Sequence, residues 1–457
     1  MDIVQGLNPW PFLALQLAPS TYILGFTVPS SILRPAILPI QVTCPYIVCI
    51  NLKNFIPRLG WAATIACIST MFALSFLEMA ILSKWSFETQ GPAPKKSKST
   101  SQNGKGKDSK ITKKKDTTWN RLKFGFGSLM SFRDLNTPHE TKNCPHFSSD
   151  PSYTPSYSKF LLTTLPKFVL CCLLLDVIES QPPPPDAPAL FASSEIPLFR
   201  RLGEIGGEDV ALRVGASLGF WMVLYCMLSC MSFFLGLICV GLGAEVKEWR
   251  PLMGPFSEAY TVRGFWGFVS IHSILTLARK LPLSRSNFLR YIRLVVQCSR
   301  REGQADPQPS KFWHQGTRKT FSNPSIFLVD NFPIPLPSLV SRYAKIFLTF
   351  YISGLVHVIG DYIFMPWSES WTVQFFIAQA VGIMLEDFVQ WVWRTSIERK
   401  KGGETKTWKK VVGFVWVAVF MLVWSTPAWF FPNAGKNTGA KEGKLLPFSV
   451  IGYFVDR

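Results

Sequence analysis

The chain has 457 residues, 48% of them hydrophobic, and a mean hydropathy of +0.19, which is too apolar for a soluble protein of this length. Forty-eight Lys and Arg against 29 Asp and Glu leave a formal charge of +19. That excess does not point to nucleic acid. Nine lysines and a single aspartate crowd between Lys95 and Lys115, in a Ser/Gly-rich stretch without apolar period and without a zinc-finger or RNA-reading motif beside it.

The N-terminus has no basic region before its first apolar stretch and no small-residue cleavage site, so it reads as a retained helix. Apolar runs follow near 11–29, 36–52, 62–83, 159–177, 210–243, 343–365, 372–394 and 411–431. Runs of about 18 apolar residues are read as spanning helices, and prolines inside them (Pro19, Pro39, Pro45, Pro166) are tolerated in membranes. The expectation is an all-α polytopic transmembrane bundle of about eight spans. The 210–243 run is longer than one span needs, so it is either one tilted helix or a span followed by a re-entrant piece.

Loop charge sets the expected orientation. The basic stretch 84–158, expected to be largely disordered, goes to the cytosol, where anionic lipid head groups are a secondary partner. The next connection, 178–209, is Pro-rich and net acidic, which suits the lumen. Stretches 244–342 and 395–410 are basic again, whereas Lys53 and Arg58 fall on the acidic side by parity. The expected organisation is N-terminal helices over 1–83, the basic loop 84–158, and a core over 159–457, in the endoplasmic reticulum membrane. The ten cysteines lie mostly in apolar runs, with Cys226 and Cys230 one turn apart, and read as packing rather than a disulfide framework.

Five histidines are present. His139 and His146 lie in the polar loop. His357 sits near the middle of an apolar run, in Ser353-Gly354-Leu355-Val356-His357. An ionisable group at that depth normally faces a cavity or a partner, and neutral imidazole accepts a proton near pH 7. A structural histidine bonded to a neighbouring helix is an equal alternative. His314, in Phe312-Trp313-His314-Gln315, suits a membrane interface. No metal is expected: the two histidines lack a third ligand at metal spacing. Glu386 and Asp387 interrupt the next run, either lining a polar pocket or held by Arg394, and the second reading is preferred.

Four segments together carry a resemblance. Trp249-Arg250-Pro251-Leu252-Met253-Gly254, Tyr260-Thr261-Val262-Arg263-Gly264-Phe265-Trp266-Gly267, the Trp313-His314-Gln315 motif and the Ser353-to-His357 motif, followed by Glu386-Asp387, resemble the wax synthase-like branch of the membrane-bound O-acyltransferases, including fungal enzymes that acetylate terpenoids. The likeness covers roughly residues 245–395. It implies transfer from an acyl-CoA, acetyl-CoA first, to the hydroxyl of a hydrophobic alcohol in the membrane, with no bound cofactor. It further implies His357 as general base, His314 as an orienting or oxyanion-stabilising group, and Trp313, Gln315, Ser353, Trp266, Arg263, Glu386 and Asp387 as substrate-binding residues. A long-chain wax-ester or sterol-ester synthase is the nearest rival; a proton-coupled transporter and a membrane terpene cyclase are alternatives of other classes.

One departure stands out. In the family pattern the Phe-Trp-Gly element runs almost directly into Trp-His-Gln, whereas here the 44 residues 268–311 intervene. They are either a lineage-specific insertion or a retained intron in frame, and the second is preferred. His272 lies inside this stretch.

Overall fold

The computed structural model describes residues 4–93, 116–182, 184–266, 313, 315–396, 407–436, 444–447 and 449–455. The Lys-rich block, residues 268–311 with His272, and His314 lie outside the described residues, as does the side chain of Arg394.

Among the described residues the fold is helical, with strand pairing limited to an isolated bridge between Ser86 and Gly91. The main elements are α1 (Pro9–Phe26), α2 (Leu38–Asn51), α3 (Leu59–Phe76), α4 (Thr118–Met130), α5 (Tyr157–Glu179), α6 (Gly207–Gly241), α7 (Val262–Trp266), α8 (Arg318–Asp330), α9 (Ser338–Asp361), α10 (Thr372–Ser396), α11 (Thr407–Ala418), α12 (Thr426–Lys436) and α13 (Val450–Val455). Seven helical stretches among the described residues are long and apolar enough to cross a membrane. They match the last seven apolar runs of the sequence, and the protein is an integral membrane protein. The first run forms α1, 18 residues opened by Pro9 behind an Asn8 cap, and is not among the seven. The long sixth helix is one unbroken rod of 35 residues, about 50 Å at 1.5 Å per residue, so it needs no re-entrant piece.

Polar side chains join the N-terminal helices where lipid offers no hydrophobic drive for association. Gln16 on α1 donates to the Ser69 carbonyl of α3 (2.8 Å) and accepts from the Ser69 hydroxyl (2.8 Å). Gln41 on α2 donates to Ser20 at 2.9 Å. Part of the stretch expected to be loop is ordered: α4 crosses α1 so closely that a Cβ on Gly25 or Gly125 would collide with the facing backbone at Arg121 or Thr21.

Connections meet on two faces, one basic and one that carries the acidic 178–209 stretch together with Lys53 and Arg58. On the basic face Arg133 donates to the carbonyls of Pro251 (2.7 Å) and Arg250 (2.9 Å), Arg250 pairs with Glu140 at 2.5 Å, and Arg318 donates to Lys142 O at 3.1 Å. On the acidic face Arg201 pairs with Glu195 at 2.7 Å, and the Trp61 indole donates to Leu445 O at 2.9 Å. Between the faces lies an aromatic core of Phe265, Trp313, Phe350, Phe375, Phe376, Phe420 and Trp429, with Trp221 packed against it.

Candidate functional site

Helix α9 carries His357 and is wedged between α3 and α10. Two glycines make the wedge possible: a Cβ on Gly354 would stand 3.1 Å from Val373 Cα, and one on Gly360 would stand 2.7 Å from Cys67 Sγ. His357 Nδ1 lies 2.7 Å from the carbonyl of Ser353, one turn back. A carbonyl oxygen only accepts, so in the neutral ring Nδ1 carries the hydrogen and Nε2 keeps the lone pair. Phe376 (centroids 4.6 Å) and Trp429 (5.2 Å, at 89°) fix the plane of the imidazole.

The ring opens on a chamber of about 1090 Å³. Its walls include Trp266, Trp313, Phe350, Ser353, Phe376 and Trp429 around His357, with Leu252, Thr317 and Arg318 toward the basic face and Gln181, Asn433 and Lys444 toward the acidic one. A cavity of this size and apolar lining, with a few polar groups, suits a hydrophobic small molecule. His357 is therefore at a chamber wall and not packed into lipid.

The flanks of the long intervening segment meet here. Trp313 N donates to Phe265 O at 2.9 Å, and the two rings stack at 5.6 Å and 13°. Gln315 donates to the carbonyls of Trp313 (2.7 Å) and Trp266 (3.4 Å). The Trp266 indole donates to Gln379 at 3.0 Å, which holds its ring against the chamber.

Glu386 and Asp387 hold this arrangement from α10. One Glu386 oxygen accepts from Val262 N (2.5 Å) and Trp416 Nε1 (2.9 Å), the other from Arg263 N (3.2 Å), which caps the short helix α7. Asp387 accepts from Arg263 (2.5 Å), Arg342 (2.7 Å) and the Tyr343 hydroxyl (3.1 Å). These arginines come from α7 and α9; the side chain of Arg394, the partner preferred from sequence, lies outside the described residues.

The sequence model of the Membrane bound O-acyl transferase family matches residues 310–378, the stretch that brings Trp313, Gln315, Ser353, His357 and Phe376 to the chamber. Acetyltransferase ataH of Aspergillus terreus is 30% identical over 336 residues, 70% of this chain and 91% of the relative. The chain belongs to the membrane-bound O-acyltransferases. Acetyltransferase fsoF of Humicola fuscoatra is 28% identical over 88% of each chain, and acetyltransferase aurG of Calcarisporium arbuscula 27% identical over 92% of each. No solved structure matches. The protein is thus an O-acyltransferase, and the transporter and cyclase alternatives are set aside.

A second cavity of the acyltransferase, about 290 Å³, opens on the basic face and shares Arg318 and Thr349 with the chamber. Lys142, Arg263, Lys319, Arg342 and Lys345 line it, together with Glu140 and His139. Burial, reinforced by Lys319, holds the His139 imidazole below its usual range, so the positive charge there belongs to the Lys and Arg groups. Sequence reading had passed over Arg318, Phe376, Trp429 and Cys67. The aromatics sit in apolar runs where nothing separates a chamber wall from lipid-facing packing.

Proposed function

We propose that the protein transfers the acetyl group of acetyl-CoA to a hydroxyl of a terpenoid-type alcohol held in the chamber. The observation that carries this reading is the Nδ1–Ser353 contact, which in the neutral ring leaves the lone pair on Nε2, in a ring on the wall of a 1090 Å³ apolar space. Nε2 takes the alcohol proton as its oxygen attacks the thioester carbonyl. The tetrahedral intermediate collapses with cleavage of the carbon–sulfur bond, and the imidazolium returns the proton to the departing thiolate. Base catalysis of this kind is worth roughly 10²–10⁴-fold. The Nδ1–Ser353 bond keeps the imidazole in the competent tautomer and steadies the imidazolium.

His314 is assigned the orienting or oxyanion-stabilising role on its motif position alone. Trp266, Trp313, Phe376 and Trp429 shape the wall against which a rigid apolar skeleton lies. Gln315 and Glu386 act as positioning residues through the backbone of residues 262–266, and Asp387 through Arg263. Arg318, Lys319, Arg342 and Lys345 give the small cavity the charge to hold the phosphates of CoA, with the thioester reaching the chamber past Arg318 and Thr349. The basic face is then cytosolic, and the membrane that of the endoplasmic reticulum.

The test is to incubate microsomes containing the protein with radiolabelled acetyl-CoA and candidate terpenoid alcohols, beside His357→Ala. Labelled ester from the wild type alone supports the reading. Equal labelling in both samples, or none with any alcohol, contradicts it.

A further inference from the structure

Lys444 and Leu445 line the acidic end of the chamber, and two carboxylates of α5 hold the backbone of residues 445–446 and 450–451 beside it. Glu179 accepts from the amides of Leu445 (2.7 Å) and Leu446 (3.2 Å). One turn earlier, Asp176 accepts from Val450 N (2.8 Å) and Ile451 N (3.0 Å), which caps α13. The Trp61 indole closes the clamp from α3 by donating to Leu445 O at 2.9 Å. Charge-assisted bonds to backbone amides are among the stronger protein hydrogen bonds, and four of them on one helix end make a deliberate anchor. The Leu445 side chain, 5% exposed, points inward and rests on Gly60, where any Cβ would collide with it.

Helix α3 gives the depth of this closure. Gly60, Ala63, Thr64 and Cys67 share its chamber-lining face, and Lys444 and Leu445 line the same space. Cys67 stands level with the reacting group, since its thiol meets Val356 O at 3.4 Å. Gly60 is two turns away, roughly 10 Å along the axis. Leu445 therefore bounds the α3 side of the space about two turns beyond His357, at the end also lined by Gln181, Asn433 and Lys444.

We propose that this segment is the end wall of the acceptor compartment and that Leu445 is a size-determining residue, with Asp176 and Glu179 as positioning residues that act through the segment's backbone. The acceptor part of the proposal rests on the acetyl-transfer reading; the closure does not. In this view the room between His357 and Leu445 limits how long a rigid skeleton can be while its hydroxyl still reaches Nε2.

The experiment uses the full-length protein in detergent. N-ethylmaleimide alkylation of Cys67 is followed at peptide level by mass spectrometry, with Cys49 as control because it is buried against Ile359 O and lies off the chamber wall. Leu445→Ala and the double variant Asp176→Asn/Glu179→Gln are expected to raise the Cys67 rate severalfold, and Leu445→Phe to lower it, with Cys49 unchanged. A Cys67 rate equal to wild type in Leu445→Ala, or Cys49 rising in parallel, overturns the closure. In a second arm, acetylation of ergosterol relative to menthol is expected to rise severalfold in Leu445→Ala; an unchanged ratio overturns the size-determining role. If the wild type acetylates neither these nor any other alcohol, the transfer reading fails, and the alkylation arm alone decides the closure.

Discussion

His357 stood out in the sequence because an imidazole in the middle of an apolar run needs a reason to be there. What the sequence could not supply is the reason itself. Ser353 contributes its backbone carbonyl, which every residue type carries, and the glycines on either side of the histidine matter through what they let approach. Gly360 is the sharpest case, because a Cβ there would stand 2.7 Å from Cys67 Sγ. Gly360→Val is expected to lower stability by about 1–3 kcal/mol through overpacking. Adding Cys67→Ala removes the colliding sulfur and is expected to restore part of that loss. Thermal unfolding of the two single variants and the pair in detergent measures the coupling, and strictly additive effects would show that the contact is not the cause.

At the scale of elements, hydropathy marked seven of the spans because lipid demands long uninterrupted apolar helices. It could not mark α7, five residues in a polar stretch, whose ends are fixed by groups far away in sequence. Glu386 supplies the cap from α10, and Asp387 draws Arg263 and Arg342 to one point. Such partners are set by packing and leave no local pattern. Glu386→Ala would leave Val262 N, Arg263 N and Trp416 Nε1 without their acceptor. Each unsatisfied buried donor costs about 1–3 kcal/mol. A clear drop in melting temperature is expected, with a smaller drop for Glu386→Gln, which keeps one acceptor oxygen; equal melting temperatures for all three proteins would remove Glu386 from this role. The same element frames the long intervening segment: Phe265 O and Trp313 N are 2.9 Å apart, so the chain on either side of it is already joined. A variant lacking residues 268–311 is therefore expected to fold and to retain acetyl transfer. Its failure to accumulate in microsomes, with the full chain active, would make the segment an integral part of the enzyme.

Across the whole molecule, loop charge anticipated the side knit by Arg133, Arg250 and Arg318, whereas the connection with Lys53 and Arg58 joins the other side, through Trp61 and Leu445, by parity and against its own charge. The chamber between them was not legible, since its walls come from helices spread over most of the chain. If the small basic cavity holds the phosphates of CoA, its attraction is screened by salt; the Debye length falls from about 10 Å at 0.1 M to about 3 Å at 1 M. The KM for acetyl-CoA is then expected to rise severalfold over that range while kcat changes little, and a salt-independent KM would place the nucleotide elsewhere. The most direct test of the account is the release of free CoA by purified protein given acetyl-CoA and an accepted alcohol, compared between wild type and His357→Ala. The rate constant kcat should fall roughly 10²–10⁴-fold with little change in the KM for acetyl-CoA. Unchanged turnover in the variant would contradict the assignment of His357 as the base.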